Sequence, residues 1–305
     1  MSDQMAAAIP DPEPDQSGAA PSAAAPGFAR RRALIGWLPP DAAVGLLSAG
    51  RDANAVQFES LSRARLARET VARRAADIDQ TGLVAPVPGA LARYVGELRA
   101  DPTNSMFAEG WDVASVDLSR VCAFQPMVAM ERALERLEGI EGNDLEGIAS
   151  VCLPKGAQIQ LSVRADAARN VIALPAPDPN VRVGRPFFGS VPGRAGPVAG
   201  FELALPNSVL QVARYRGRYF LRDGYHRAFA LLSRGVTWVP AFVRDLDNFE
   251  LLVPFPVGML PQDRYLGERP PTLADYLDEE VAADVLVEAP TRIITVHAFD
   301  ELVPL

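Results

Sequence analysis

The chain has 305 residues, of which 49% are hydrophobic and 22% are charged, and its formal net charge at pH 7 is −8. This composition excludes a wholly disordered chain, a collagen-like repeat and a small disulfide-stapled scaffold, and the acidic total argues against a protein that coats nucleic acid. Cys122 and Cys152 are too few for a disulfide framework or a zinc site and are predicted to be small buried hydrophobic residues. The only histidines, His226 and His297, likewise exclude a multi-histidine metal centre.

Residues 1–27 are predicted to be a disordered tail. They consist almost entirely of Ala, Pro, Ser, Gly and Asp, so they have no large side chains whose burial could offset the entropy of ordering. The segment also lacks the basic flank and the apolar run of a signal peptide. No apolar stretch reaches the ~18 to 20 residues that span a bilayer. We therefore expect a cytoplasmic protein without a membrane partner.

Residues 28–110 have a helical pattern and are predicted to form a helical N-terminal region. A short helix is expected after Pro40, which would lie in its first turn. A longer helix is expected from Ala55 to about Asp79, and a third from Gly89 to Arg99.

The long predicted helix has an apolar side and an arginine-rich remainder. Its apolar side is formed by Phe58, Leu61, Ala64 and Val71. Its other faces carry Arg63, Arg65, Arg68, Arg73 and Arg74. These arginines suit a phosphate-bearing partner or, in the interpretation we favour, a solvent-exposed face with Glu59 and Glu69 as local ion-pair partners.

Residues 111–248 change to strand-like runs mixed with short helices, which indicates an α+β fold. The run VASVDLSRV alternates apolar and polar residues as a half-buried strand does, and a helix is expected over Met130–Leu137. The runs IQLSVRA and RNVIALPA are predicted to be strands. Residues 175–200 are rich in Pro and Gly and are predicted to be a long irregular insertion. A C-terminal extension, 249–305, follows, with a short acidic helix at TLADYLDEE and a strand at RIITVHAF.

Residues 209–243 are the most informative part of the sequence. The runs VLQVARY and RYFLR are strand-like and are joined at Arg216–Gly217, which predicts a hairpin. Asp223–Gly224 breaks the second strand, and from Tyr225 the apolar spacing becomes helical until Gly235. The run VTWVPAFV then returns as a strand.

This order places Asp223, Gly224, His226 and Arg227 at a strand-to-helix junction. The first turn of a helix has unpaired N–H groups and the positive end of the helix dipole, and a glycine lets an anion approach the backbone closely. A guanidinium adds a bidentate contact to phosphate, and a histidine adds a further hydrogen bond. Asp223 is able to cap the helix, to orient its neighbours, to hold a metal ion or to accept a proton, and capping is the interpretation we favour.

The series of strand, DGYHR turn, helix and a strand containing Val239–Pro240 resembles the ParB/sulfiredoxin-like superfamily. Gly224, Arg227 and Ala230 match its G-x-x-R-x-x-A pattern, and Gln125–Pro126 resembles its upstream Gln-Pro element. The resemblance implies a small mixed-sheet domain over residues 111–248 in which this turn cradles nucleotide phosphates. Members of the superfamily bind and hydrolyse CTP, use ATP to repair an oxidised cysteine, or phosphorylate free serine.

The sequence also departs from these relatives. Tyr225 stands where sulfiredoxins need a cysteine, and no helix-turn-helix module follows, which argues against redox repair and against centromere binding. The serine-kinase-like pattern D-G-H-H-R is nearest, because only Tyr225 replaces one of its histidines. The carboxylate base of that kinase is not assigned; Glu131 and Glu202 are candidates by position only, and we favour a surface role for both.

Two functions follow as hypotheses. The first is a phosphate- or nucleotide-binding protein that performs phosphoryl transfer or nucleotide hydrolysis, with ATP or CTP and Mg²⁺ as the implied cofactors. Its catalytic candidates are Asp223 and His226. Its phosphate contacts are four consecutive residues, Gly224, Tyr225, His226 and Arg227. The second is a non-catalytic scaffold with a protein partner, in which Asp223 caps the helix and Arg227 pairs with an acid. A turn open to solvent favours the first function, and a buried turn with paired charges favours the second.

Overall fold

A computed structural model of the chain describes residues 28–49, 53–135, 137–155, 164–166, 171–176, 182–190, 196–204, 209–253, 258–288 and 292–297. The predicted tail over residues 1–27 lies outside these ranges. The described α-helices are α1 (Pro40–Ser48), α2 (Ala53–Arg73), α3 (Ala92–Ala100), α4 (Met130–Glu135), α5 (Leu145–Cys152), α6 (Tyr225–Ser233), α7 (Phe249–Leu252) and α8 (Gln262–Tyr265). Short 3-10 helices span Gly89–Leu91, Leu118–Arg120 and Leu273–Leu277. The described strands are β1 (Phe28–Ala33), β2 (Val84–Ala85), β3 (Asp112–Asp117), β4 (Met127–Ala129), β5 (Arg164–Asp166), β6 (Val171–Ala176), β7 (Arg182–Ser190), β8 (Pro197–Ala204), β9 (Gln211–Tyr215), β10 (Arg218–Asp223), β11 (Trp238–Leu246), β12 (Ala283–Glu288) and β13 (Arg292–His297).

The architecture is α+β, and its five-stranded sheet has the order β10–β9–β11–β3–β2. β9 and β10 form an antiparallel hairpin, and β11 lies parallel to β9 on one side and antiparallel to β3 on the other. The connection from β10 to β11 runs through α6. Hairpin, helix and return strand therefore occur in the predicted order, and the start of α6 lies directly after β10.

A second sheet pairs the first described strand with a strand from the C-terminal part of the chain. β1 lies between β12 and β4 and is antiparallel to both. Arg32 in β1 is buried, and it donates hydrogen bonds from Nε to the Tyr276 carbonyl at 2.6 Å and from the guanidinium to Glu279 at 2.8 Å and Asp284 at 3.1 Å. The helical pattern of the N-terminal region does not predict β1, because a strand paired across the whole chain has no local signal.

The prediction of a long irregular insertion over residues 175–200 is wrong for its described part. β7 and β8 form an antiparallel two-stranded sheet there, with a register shift between Val183 and Pro186. Both strands of a two-stranded sheet are edge strands, where the missing N–H of Pro186 or Pro197 is tolerated. Of the two strands predicted before this segment, the second occurs as β6, which lies between β13 and β5 in a further antiparallel sheet. Residues 159–163 of the first predicted strand lie outside the described residues.

Most of the predicted helices are confirmed, although α2 begins and ends earlier than expected and the acidic helix near the C-terminus is a 3-10 helix. The assignment of the apolar side of α2 is wrong in part. Phe58 is 82% exposed and Leu61 is 49% exposed, whereas Ser60, Ala64 and Ala67 are buried. Small side chains face the molecule because α2 packs closely against it.

The arginines of α2 mostly make contacts within the molecule. Arg63 donates to backbone carbonyls in the segment before β12, and Arg74, the residue directly after α2, forms an ion pair with Asp278 at 2.6 Å. Arg65 pairs with Glu69 at 2.7 Å, which confirms Glu69 as a local partner. These contacts favour the interpretation of a solvent-exposed face over that of a phosphate site.

One hydrophobic cluster runs through the described residues and includes most of α6. Its largest fully buried side chains include Trp37, Tyr276, Phe124, Phe220 and Phe242. Cys122 and Cys152 are free and buried, as predicted. Within the described ranges, no helix has both the length and the apolar character needed to cross a membrane.

Candidate functional site

The hairpin that leads into the candidate site turns tightly. Arg216 and Gly217 both have positive φ, +49° and +83°, which is the backbone of a type I′ hairpin turn. The pairing of β10 with β9 shifts register between Leu221 and Asp223, so the end of β10 leaves the regular ladder at the start of the predicted motif. The chain then enters α6 within one residue.

Gly224 makes this sharp change of direction. It lies in the left-handed region, with φ +97° and ψ 20°, and its carbonyl accepts the N–H of Ala228 at 2.9 Å. A Cβ at this position would lie 3.1 Å from the Leu210 Cα and 3.3 Å from its Cγ. Glycine is therefore required both by the backbone angle and by the close approach of the neighbouring segment.

Asp223 is half-buried at the end of β10, and its Oδ1 accepts the N–H of Gly224 at 2.7 Å. The N-cap of α6 is Gly224, and no side-chain capping bond is formed there. The N-cap position is therefore occupied by Gly224 and not by Asp223, the residue that the favoured interpretation placed there. The Asp223 carboxylate binds the glycine amide, because the left-handed turn brings that N–H back toward the preceding side chain.

Tyr225 points into the core. Its hydroxyl donates to the Leu221 carbonyl at 2.7 Å and accepts the N–H of Phe124 at 3.0 Å, and its ring packs edge-on against the Phe124 ring. Burial raises the pKa of the Tyr225 phenol far above its ordinary value. The side chain thus anchors the turn to the segment before β4, and only its backbone N–H remains in the first turn of α6.

His226 and Arg227 complete the first turn of α6. His226 is half-buried, whereas Arg227 is 5% exposed. The guanidinium lies close enough to Cys152 to act on its thiol: burial raises the pKa of Cys152 to about 12, and the Arg227 charge opposes that rise. Its Nη1 is buried and makes no hydrogen bond to another described residue, while the side chain interacts through other contacts.

Arg222 is a neighbour that sequence reasoning missed. It donates from Nε to the Leu251 carbonyl at 2.8 Å and from the guanidinium to the side chain of Gln211, and it lies 5.7 Å from the centre of the Trp111 ring. Burial lowers the pKa of Arg222, with the charge of Asp223 acting in the opposite direction. Asp223 therefore has Arg222 directly before it and Arg227 four residues after it in the sequence. The sequence signal for Arg222 was its position directly before the Asp-Gly pair.

The two positional candidates for a carboxylate base lie on the surface, as the interpretation we favoured predicts. Glu131 is exposed at the start of α4, where it accepts the N–H of Arg30 at 3.3 Å. Glu202 is exposed in β8.

The turn fits a phosphate better than it fits a metal centre. Backbone N–H groups at the start of a helix and a guanidinium are groups that bind anions, whereas the space beside the Gly224 Cα is filled by Leu210. Among the described residues, no group of three or more His, Cys, Asp or Glu side chains is placed to hold a metal ion. Mg²⁺ is compatible with one carboxylate, because it is commonly bound by substrate phosphates and water with one or two protein ligands. Scans against protein-family models, curated proteins and solved structures found no significant match to the chain.

Proposed function

We propose that the DGYHR turn binds a phosphate group and that the chain is a nucleotide-binding protein of the ParB/sulfiredoxin-like superfamily. The observation that carries the proposal is the first turn of α6, which begins on a left-handed glycine and holds a half-buried histidine, His226, next to the cationic side chain of Arg227. A cation at the positive end of a helix dipole adds to a potential of the same sign, and that potential favours an incoming anion.

The topology around the turn supports the same proposal. The hairpin β9–β10, the helix α6 and the return strand β11, parallel to β9, form one continuous unit. This is the order of elements that the resemblance implies for the nucleotide-binding part of the superfamily. The phosphate would lie where the hairpin meets the helix, beside the close contact of Gly224 with Leu210.

The roles of the individual residues follow from their positions. The N–H groups of the first turn and Arg227 bind phosphate oxygens, and His226 donates a hydrogen bond from its half-buried position. Asp223 contacts Mg²⁺ or accepts the proton of an attacking hydroxyl group. The Tyr225 side chain has no role in binding, because its hydroxyl is used in the core. In phosphoryl transfer the phosphorus–leaving-oxygen bond breaks as the bond to the attacking oxygen forms, and positioned charges stabilise the transferring group.

Titration calorimetry and thermal unfolding with ATP, CTP and GTP, each with Mg²⁺, test this function. We expect at least one nucleotide to bind and, at about 100 times its Kd, to raise the free energy of unfolding by about 2.7 kcal/mol. His226→Ala should fold and lose about ten- to hundredfold in affinity, because a hydrogen bond to a charged group contributes about 1.5 to 3 kcal/mol. Arg227→Lys keeps the charge but removes the bidentate fork, so it should also weaken binding.

Arg214→Ala is the matched control, since Arg214 is an exposed arginine of β9 on the same hairpin. It should bind nucleotide as the wild type does. If none of the three nucleotides produces binding heat or a rise in melting temperature, the proposal is wrong.

A non-catalytic scaffold with a protein partner is the second candidate, and two observations favour it. A cleft of about 650 Å³ lies between α1, α2 and residues 263–269, and residues 223–227 do not line it. Gly224, Tyr225 and Arg227 are moreover buried. If the chain binds none of the nucleotides in these titrations, we expect it to act as a scaffold for a protein partner.

A further inference from the structure

The cleft between α1, α2 and residues 263–269 has an apolar base. Its volume of about 650 Å³ lies within the range of about 300 to 1,000 Å³ that is common for small-molecule sites. Three of its lining residues, Gly36, Trp37 and Ala64, are buried. Val44 and Val71 also line it and are half-buried against the hydrophobic cluster. A ligand in the cleft can therefore place an apolar body against these residues.

The charged residues that line the cleft are four arginines and three carboxylates, so the lining has a net charge of +1. The whole chain, by contrast, has a net charge of −8. Three of the arginines pair with a carboxylate close to them in sequence, at 2.7, 3.5 and 3.2 Å: Arg65 with Glu69, Arg264 with Asp263, and Arg269 with Glu268. The excess positive charge therefore belongs to the fourth arginine, Arg68.

Arg68 is exposed on α2 and forms no hydrogen bond or ion pair with the other described residues. It lies on the same face of the helix as Ala64, four residues before it, and Val71, three residues after it, and all three line the cleft. An arginine stem can lie along such an apolar surface while its guanidinium stays in water. The charged group is therefore available at the edge of the apolar base, and a guanidinium binds a carboxylate through two parallel hydrogen bonds.

We propose that this cleft binds an amphipathic monoanion, an organic carboxylic acid with an aliphatic or aromatic body. The body packs on the apolar base, and the carboxylate meets the Arg68 guanidinium. A ligand with several negative charges would be repelled by the three carboxylates of the lining, and a cationic ligand would be repelled by Arg68. Residues 223–227 do not line the cleft, so the proposal does not depend on nucleotide binding.

The Trp37 indole provides a signal for binding in this cleft. Its Nε1–H donates to the Arg269 carbonyl at 2.8 Å, and both residues line the cleft. The other two tryptophans, Trp111 and Trp238, lie outside it. In a nitrogen–proton correlation NMR spectrum of the full chain, Trp111→Phe and Trp238→Phe identify the signals of those two residues, and the third signal is that of Trp37. We expect decanoate, phenylbutyrate or both to shift the Trp37 signal saturably and to leave the other two in place.

Ligands with the same body and different head groups test the charge. Decanol is the neutral counterpart of decanoate and decylamine the cationic one. Decanoate should bind at least about tenfold more tightly than decanol, because a hydrogen bond to a charged group adds to the affinity, and decylamine should bind more weakly than decanol. Comparison of decanoate with phenylbutyrate shows whether the cleft prefers an aliphatic or an aromatic body.

Substitution of Arg68 tests the residue that meets the carboxylate. Arg68→Ala should lower the affinity for decanoate by about tenfold and leave the affinity for decanol nearly unchanged, a difference that a general loss of structure would not produce. Arg68→Lys keeps the charge without the bidentate fork and should have an intermediate effect. Arg73→Ala is the matched control, since Arg73 is an exposed arginine of α2 that does not line the cleft, and it should bind decanoate as the wild type does.

Three results would overturn the proposal. One is a Trp37 signal that neither acid shifts, which would leave the cleft to a protein partner. Another is an affinity for decanol or decylamine equal to that for decanoate. The third is an Arg68→Ala variant that binds decanoate as tightly as the wild type does.

Discussion

Gly224 combines two constraints that glycine alone satisfies. Its φ of +97° lies in the left-handed region, and a Cβ would press on the backbone of Leu210 at 3.1 Å. Gly217, in the hairpin turn, has a similar φ of +83°, but a Cβ there would have open space around it. The two glycines therefore separate the effect of backbone angle from the effect of crowding.

We expect Gly224→Ala to lower the free energy of unfolding by about 2 to 4 kcal/mol, through the left-handed angle and the close contact together. Gly217→Ala should lower it by only about 1 to 2 kcal/mol, since the angle alone acts there. Urea unfolding followed by circular dichroism measures both values. Equal losses for the two variants would show that the contact with Leu210 contributes nothing.

Tyr225 shows the limit of sequence reasoning at a single residue. The motif predicted the presence of the turn, and the same motif suggested that Tyr225 contacts phosphate. The direction of its side chain is set by the Leu221 carbonyl and the Phe124 N–H. Phe124 is distant in sequence, so no local pattern reveals that the phenol points inward. The contact of Asp223 could not be predicted from the sequence either, because the hydrogen bond from the Gly224 amide to its carboxylate depends on the shape of the turn.

Among the elements, the hairpin and α6 could be predicted because their signals are local. The apolar alternation, the Arg216–Gly217 turn and the glycine after β10 lie within a short stretch of sequence. β1 could not be predicted, because it is stabilised by pairing with β12 at the other end of the chain. β7 and β8 were missed for another reason: their prolines suggest irregular structure, yet they lie in a two-stranded sheet with free edges.

The hairpin between β9 and β10 contains a residue that is poorly suited to its position. Arg216 has φ +49°, a conformation in which asparagine is much better tolerated than arginine, and asparagine followed by glycine is the preferred pair for a type I′ turn. Arg216→Asn should therefore stabilise the protein by about 0.5 to 1 kcal/mol.

Thermal unfolding of the wild type and of Arg216→Asn checks this effect. The variant also removes the contact of the Arg216 guanidinium with the Tyr215 ring, at 5.2 Å, which lowers the expected gain. Arg216→Ala is the control that removes the same contact without the asparagine, and it should be less stable than the wild type. A lower melting temperature for Arg216→Asn than for Arg216→Ala would contradict the prediction.

At the scale of the whole molecule, the two buried cysteines limit stability at alkaline pH. Burial raises the pKa of the Cys122 and Cys152 thiols to about 12, while an exposed thiol in the unfolded chain ionises near about 8.5. The unfolded chain therefore loses protons first as the pH rises. The stability that these thiols contribute is present below the unfolded pKa and is lost as the pH rises toward the folded pKa.

We expect the free energy of unfolding to fall above about pH 9, by up to about 1.4 kcal/mol per pH unit for each thiol. Urea unfolding between about pH 8 and about pH 9.5, below the ordinary tyrosine pKa of about 10, measures this slope. The variant with both Cys122→Ala and Cys152→Ala should be less stable at pH 8 but should show a much shallower slope. If the free energy of unfolding of this variant falls with pH as steeply as that of the wild type, groups other than the two thiols cause the loss of stability at alkaline pH.

Pairing of β1 with β12 has a consequence for biosynthesis. The register couples Phe28 to Glu288 and Ala33 to Ala283, so the first described strand has no neighbour on this edge until residues 283–288 have left the ribosome. Arg32 likewise cannot form its ion pairs until Glu279 and Asp284 have been synthesised. Nascent chains must therefore carry an unpaired strand edge through most of translation, a stage at which chaperones protect such edges from aggregation.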